Sequence, residues 1–409
     1  MRGVQDAVRG ATRGVVSGAV VAGAVLSAVV GAGAAGAAPV PDAPAQTTSL
    51  TSAEGAESGP VSPDERCRDL KPKADLQHCD LRFLEGALSG ANLSGANLAG
   101  AILTGMSLRE TVLFDANLSG ANLNGAILYH ANLTHANLTN ANLTHANLTG
   151  ADLPRANLES ANLTGADLRH TNLESANLTY ADLRHTNLED TNLFRANLND
   201  ADLLASDLRA TNLNGANLTA ANLTAANLTA ANLTSVILAR VNLNDALLSN
   251  ADLHGMDLFG ARLAGAKLDH TNLNGANLTY ADLHAFDGIH TNLTGAKLRD
   301  VNLTGADLTG AELTSADMTS ATLNAAALND ADLDYANLGY AKLIKTNLTH
   351  ANLTHANLNH SDASGANLTR ADLTGANGGD VNLKEANLSA AIWYDGHTCA
   401  TQGSISRCG

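Results

Sequence analysis

From Ala91 onward the chain repeats every five residues: Ala91-Asn92-Leu93, Ala96-Asn97-Leu98, and so on without insertion to Ala386-Asn387-Leu388 and Trp393. A period of five fits neither the 3.6-residue repeat of an amphipathic helix nor the two-residue alternation of a plain strand. It marks a solenoid built of short units, each touching only its neighbours. A chain of 409 residues would ordinarily divide into two or three domains, but a repeat that fills three quarters of it argues for one elongated domain.

In each unit the central Leu and the Ala two residues before it are apolar, so they point inward; the Asn or Asp between them and the two residues after Leu point outward. Gly recurs at the second position after the centre, at 95, 100, 120, 125, 150 and 165, where a turn with positive φ calls for it. The chain thus turns a corner every five residues. Tandem Ala-Asn/Asp-Leu-x-x, over residues 89–393, resembles the pentapeptide-repeat family. The resemblance implies an all-β fold, a right-handed quadrilateral β-helix with four units per coil. Residues 20 apart then stack at about 4.8 Å. The 61 centres from 93 to 393 make about 15 coils, a rod about 75 Å long.

Charges support that register. Arg169, Glu189 and Arg209 lie 20 apart at the first outward position, and Glu110 with His130, His170 with Asp190, and Asp330 with His350 and Arg370 do so at the second. Exposed pairs of this kind contribute under about 1 kcal/mol each. Stability comes from the Leu stack, at roughly 2 kcal/mol per buried side chain before entropy is counted. At Phe286-Asp287-Gly288 the Ala has become Phe and the Leu has become Gly, an exchange that conserves core volume. Ala363 and Gly378 replace the centre without visible compensation, so the last coils are expected to be the loosest. Leu76 and Leu81 are out of register with Leu88 and Leu93, which places a slip near 82–86.

Residues 1–45 read as an export signal: Arg2, Arg9 and Arg13, an apolar run from Val15 to Val30, and small-residue cleavage sites within 37–45. The alternative is a retained membrane anchor, since Val15 to Ala38 is long enough to span a bilayer. Residues 46–66, rich in Pro, Ser, Thr and Ala, read as a disordered linker. The net charge of −16 falls to −18 once residues 1–38, with three arginines and one aspartate, are removed. Such acidity excludes nonspecific attraction to nucleic acid or anionic lipid.

An open stack needs capping at both ends. Segments 67–88 and 394–409 are assigned as N- and C-terminal caps, and the only four cysteines fall beside them: Cys67 and Cys79, Cys399 and Cys408. A rod of this length forbids bonds between its ends, so the expected structural disulfides are Cys67 to Cys79 and Cys399 to Cys408. Each closure contributes about 3 kcal/mol. Disulfides agree with an exported protein. Trp393 falls at a centre and is expected to plug the last Leu layer.

Little on the surface carries chemistry. Ten of the 14 histidines take the second outward position, and His270 and His290 become vertical neighbours, yet two imidazoles without a carboxylate or thiolate make a weak metal site. A Thr-rich face for ice binding fails, because the column of Thr134 also holds Phe114, Glu174, Phe194 and His254. Asn-Leu-Thr acceptor patterns for glycosylation arise from the repeat itself. No paired carboxylates, nucleophile with its base, or phosphate loop stands out from the repeat. The expectation is therefore no catalysis, no cofactor and no metal.

Two functions remain. The first is an exported structural or binding scaffold for an unknown protein or cell-envelope component, with no nucleic-acid partner and membrane contact only through a retained N-terminus. The alternative comes from the resemblance, since some members of the family are acidic rods that mimic DNA and inhibit DNA gyrase. Against it stand the signal-like N-terminus, the terminal cysteines, a tail without a dimer-forming helix, and the scatter of Asp152, Asp167, Asp182 and Asp257 over different faces.

Overall fold

The computed structural model describes residues 63–84 and 86–399. The expected export signal, most of the linker and Cys408 lie outside the described residues. From Asn92 onward, with two exceptions at 232 and 237, the residue before each centre forms a parallel bridge with the one 20 positions on, as in Asn92 with Val112, Asn97 with Asn117, Ile102 with Asn122 and Ser107 with Ile127. Four five-residue sides therefore make one turn, and the sides stack into a β-solenoid.

The unit centred on Leu118 shows why the repeat needs these residues. Ala116 N–H donates to Leu113 O at 3.0 Å and closes the preceding corner. Asn117 N–H reaches back one coil to Ala96 O (2.9 Å); Leu118 and Gly120 N–H reach forward to Asn137 O (2.7 Å) and Thr139 O (2.9 Å). The fifth donor, Ser119 N–H, finds Asn117 Oδ1 at 3.2 Å. All five backbone donors are thus satisfied, one of them by a side chain, which is why Asn or Asp precedes the centre. These amides also bond to one another up the stack: Asn137 Nδ2 donates to Asn117 Oδ1 and Asn117 Nδ2 to Asn97 Oδ1, both at 3.2 Å. The position read from sequence as simply outward is a half-buried ladder.

Corners adopt positive φ as expected, and at far more than the glycines. His135 (φ 59°), Tyr180 (58°) and Ala220 (56°) sit in the same conformation as Gly120 (63°). An L-residue there costs roughly 1 kcal/mol or more, offset by the forward hydrogen bond of that same N–H.

Inside, the Leu and Ala columns are almost fully buried. Where Thr stands in the Ala column, its hydroxyl donates to a Leu carbonyl, as Thr191 does to Leu168 O (2.6 Å) and Thr211 to Leu188 O (2.9 Å). At Phe286 the exchange read from sequence is seen directly, for a Cβ at Gly288 would collide with the Phe286 ring. Gly378 is different from the expectation. Tyr394, one coil later, turns inward, and its ring and hydroxyl occupy the space that a side chain at 378 would take. The missing Leu is compensated after all, by a residue outside the repeat.

The stack begins before Ala91. Asp75 bridges to Asn97 and Asp80 to Ile102, a step of 22 residues, so Leu76 and Leu81 lie beneath Leu98 and Leu103. The two extra residues fall by the short 3-10 turn Arg82–Leu84. A four-residue helix, Pro63–Arg66, precedes the first coil. It is tied there by Arg66 to Asp75 (3.2 Å) and by the Cys67–Cys79 disulfide, with Cα atoms 5.6 Å apart. Among the described residues no helix is long and apolar enough to cross a membrane.

Candidate interaction surface

The outward columns were expected to pair charges 20 apart, and some do. Arg209 meets Glu189 at 3.1 Å, His350 meets Asp330 at 3.3 Å, and His170 meets Asp190 at 3.8 Å. The stronger pairs are those the coil-to-coil reading missed. Within one side, a centre separates Asp from Arg at the next outward position, and the guanidinium folds back as a fork: Arg169 on Asp167 (2.6 Å), Arg184 on Asp182 (2.6 Å), Arg209 on Asp207 (2.7 Å). The arginine hydrogen bonds hold all three carboxyls below their ordinary range. At the solenoid's start Arg82 does the same to Asp80, lowering it to about 2. The signal was present in sequence as Asp-Leu-Arg.

His130 does not pair with Glu110; its Nδ1 donates to Gly150 O at 3.0 Å. His270 and His290 are neighbours as expected, ring centroids 5.3 Å apart. Among the described residues no group of three His, Cys, Asp or Glu is placed to hold a metal ion. Tyr335 stacks on His355 and Tyr340 on His360, at 4.5 and 4.9 Å, one aromatic pair on each of two successive corners.

Trp393 is half-buried against the core and stacks on Tyr394 at 4.1 Å. Burial pushes the Tyr394 hydroxyl up to about 12, and that hydroxyl has no hydrogen-bond partner among the described residues. Cys399 is buried and disulfide-bonded.

One place breaks the regularity. The bridges expected at Asn232 with Asp252 and Ile237 with Asp257 are missing from an otherwise continuous series. Two adjacent sides of the coil have lost their central pairing, held at either flank by Leu228 N–H to Leu247 O (3.0 Å) and Arg240 N–H to Phe259 O (3.4 Å), with Leu243 N–H to Arg262 O (2.6 Å) beyond. The resulting seam holds a cavity of ≈ 370 Å³ between 234–236 and 252–257. The break coincides with a change in the small-residue column of that side. From Ala96 to Ala376 every position in steps of 20 is Ala, except Val236 and Met256, which are successive. Two larger apolar side chains stand in succession there where methyl groups are the rule, and the bridges of this side and of the one before it are lost together. Ile237 adds to the loss, since it has no oxygen to accept the N–H of Ala239.

These features define a parallel β-solenoid of five-residue sides, closed along its length except at one seam. The profile of pentapeptide repeats matches residues 91–224, 226–285 and 289–392, skipping the repacked unit at Phe286. The chain belongs to the pentapeptide-repeat family. Solved structures similar to it include HetL, a pentapeptide repeat protein involved in heterocyst differentiation regulation from the cyanobacterium Nostoc sp. strain PCC 7120. That likeness has 33% identity over 64% of this chain and 92% of HetL, with a TM-score of 0.27. Another is Rfr23 from the cyanobacterium Cyanothece 51142, with 34% identity over 26% of this chain and 85% of that one, and a TM-score of 0.26. QnrB1, a plasmid-mediated fluoroquinolone resistance protein, shares 16% identity over 53% of this chain and 88% of its own, with a TM-score of 0.23. No curated protein matched.

Proposed function

We propose that the chain is an exported, non-catalytic rod, a right-handed quadrilateral β-helix of about 15 coils, acting as a structural or binding scaffold at the cell envelope or outside the cell. The observation that carries this reading is the Cys67–Cys79 disulfide at the opening of the stack, a bond of the kind maintained in oxidising compartments. The basic, apolar and small-residue succession of 1–45 supports the same compartment. The partner is an unknown protein or envelope component. The test is fractionation of the native host with N-terminal sequencing and alkylation of the unreduced product. A mature chain beginning at or just after 37–45, outside the cytosol and without free thiols, is expected; full-length cytosolic protein with four free thiols overturns the reading.

The net charge of −16 favours a second reading, an acidic mimic of DNA that inhibits DNA gyrase. The arginine forks count against it, because they neutralise Asp167, Asp182 and Asp207 within their own sides. Purified mature protein in a gyrase supercoiling assay is expected to leave supercoiling intact. Potent inhibition would replace the scaffold reading with the mimic.

A further inference from the structure

The seam leaves both edges of a parallel ladder without partners between the bonds of Leu228 N–H to Leu247 O (3.0 Å) and Arg240 N–H to Phe259 O (3.4 Å). One coil earlier, Leu213, Gly215 and Leu218 N–H donate to Asn232, Thr234 and Ile237 carbonyls at 2.8–2.9 Å. Their counterparts Leu233, Ser235 and Leu238 have no such acceptor among the described residues. On the opposite edge Asp252 and Asp257 N–H likewise lack acceptors, whereas Asn272 and Asn277 one coil on donate to Ala251 and Met256 carbonyls at 2.9 Å. Open strand edges of this kind are templates for an added extended chain.

The side chains around the gap say what sort of chain fits. Val236 and Met256 line it with apolar surface. Ile237 and Phe259, 51% and 45% exposed, place more apolar surface on the same side of the coil. Two carboxylates lie in the lining. Asp252 is paired with His254 at 2.8 Å, but Asp257 accepts only amide N–H groups, from Phe259 (3.2 Å) and Asn277 (2.9 Å), and meets no cationic side chain among the described residues. The seam thus offers backbone pairing, an apolar contact and one uncompensated negative charge.

We propose that this seam binds an extended, basic peptide segment of another protein. The segment pairs its backbone with the edges at 233–238 and 252–257, lays an apolar side chain against Val236 and Met256, and sets a lysine or arginine at Asp257. The inference does not depend on where the protein resides.

The test uses the full chain and fluorescence anisotropy with a labelled heptapeptide of alternating valine and lysine, its glutamate counterpart, and a version N-methylated at alternate amides. The lysine peptide is expected to bind, the glutamate peptide not to bind, and N-methylation to weaken binding about tenfold or more. The Val236→Ala/Met256→Ala variant restores the alanine column; it is expected to lose binding while amide exchange at 231–238 slows to the level of 211–218. Asp257→Asn, which leaves the backbone untouched, is expected to weaken the lysine peptide about tenfold. Absence of lysine-peptide binding overturns the proposal. So does equal binding of the N-methylated or glutamate peptide, or unchanged binding in the double variant once its amides have slowed. Self-association of the wild type that protects the seam amides assigns the site to a second copy and overturns it equally.

Discussion

The sides at 211–218 and 231–238 stand one coil apart, share the same centres and the same period, and differ in outcome. The first is hydrogen-bonded to the coil that follows through three backbone donors; the second is bonded through none of the corresponding three. Both bury their leucines almost fully, Leu213 at 0% and Leu233 at 4% exposure. The difference lies in the small-residue column, Ala216 under Val236 under Met256. Two successive larger apolar residues in this column accompany the loss of the ladder, whereas the stacked Thr171, Thr191 and Thr211, whose hydroxyls are bonded, keep theirs.

Truncation of a centre tests that contrast most severely. Leu213→Ala in the closed region is expected to lower the local opening free energy by about 3 kcal/mol. Leu233→Ala at the seam is expected to cost about half as much, because parted coils relax into the space. Native-state amide exchange reads both, and equal losses would break the comparison. A smaller effect comes from the amide ladder. Ile237→Asn supplies an acceptor for Ala239 N–H and a donor for Asn217 Oδ1, and is expected to stabilise the seam by about 1 kcal/mol; Asn217→Ile, in the closed region, is expected to lose as much.

The smallest effect concerns the forks. The Asp207 carboxyl is held below its ordinary value of 3.8 by Arg209. A depressed carboxyl contributes stability above its unfolded pKa and loses it as pH falls through the folded value. Arg209→Gln is thus expected to cost under about 1 kcal/mol at pH 7. That cost begins to shrink as pH falls below about 4 and vanishes only once pH has passed the lowered value of the folded carboxyl, as urea titrations across pH will show.

Much of this was legible before any coordinates. The inward Leu and Ala columns follow from the period, and the collision that makes Phe286 and Gly288 one repacked unit follows from volume. The four-sided register came through the family resemblance, since a period of five by itself permits other numbers of sides. The seam was hidden for a definite reason: Val236 and Met256 are each ordinary apolar residues at an apolar position, and only their 20-residue spacing puts them in contact. Tyr394 was hidden because it lies past the last repeat, where periodicity assigns no direction, so Gly378 read as a hole. The arginine forks run along one side as Asp-Leu-Arg, so they do not show in the 20-residue spacing that relates charges between coils. Thr191 and Thr211 stand in the Ala column, where the period alone does not show that their hydroxyls cap Leu carbonyls inside the stack.

Every fifth residue of the closed stack holds a φ between +52° and +70°, whether it is Gly, His, Tyr or Ala. That is the natural territory of the mirror-image amino acid, which meets there none of the clash between Cβ and carbonyl that an L-residue suffers. A chemically assembled segment of this protein with D-alanine at each corner would fold more readily than its all-L parent, and the handedness of single residues would alternate down the chain with the beat of the solenoid itself.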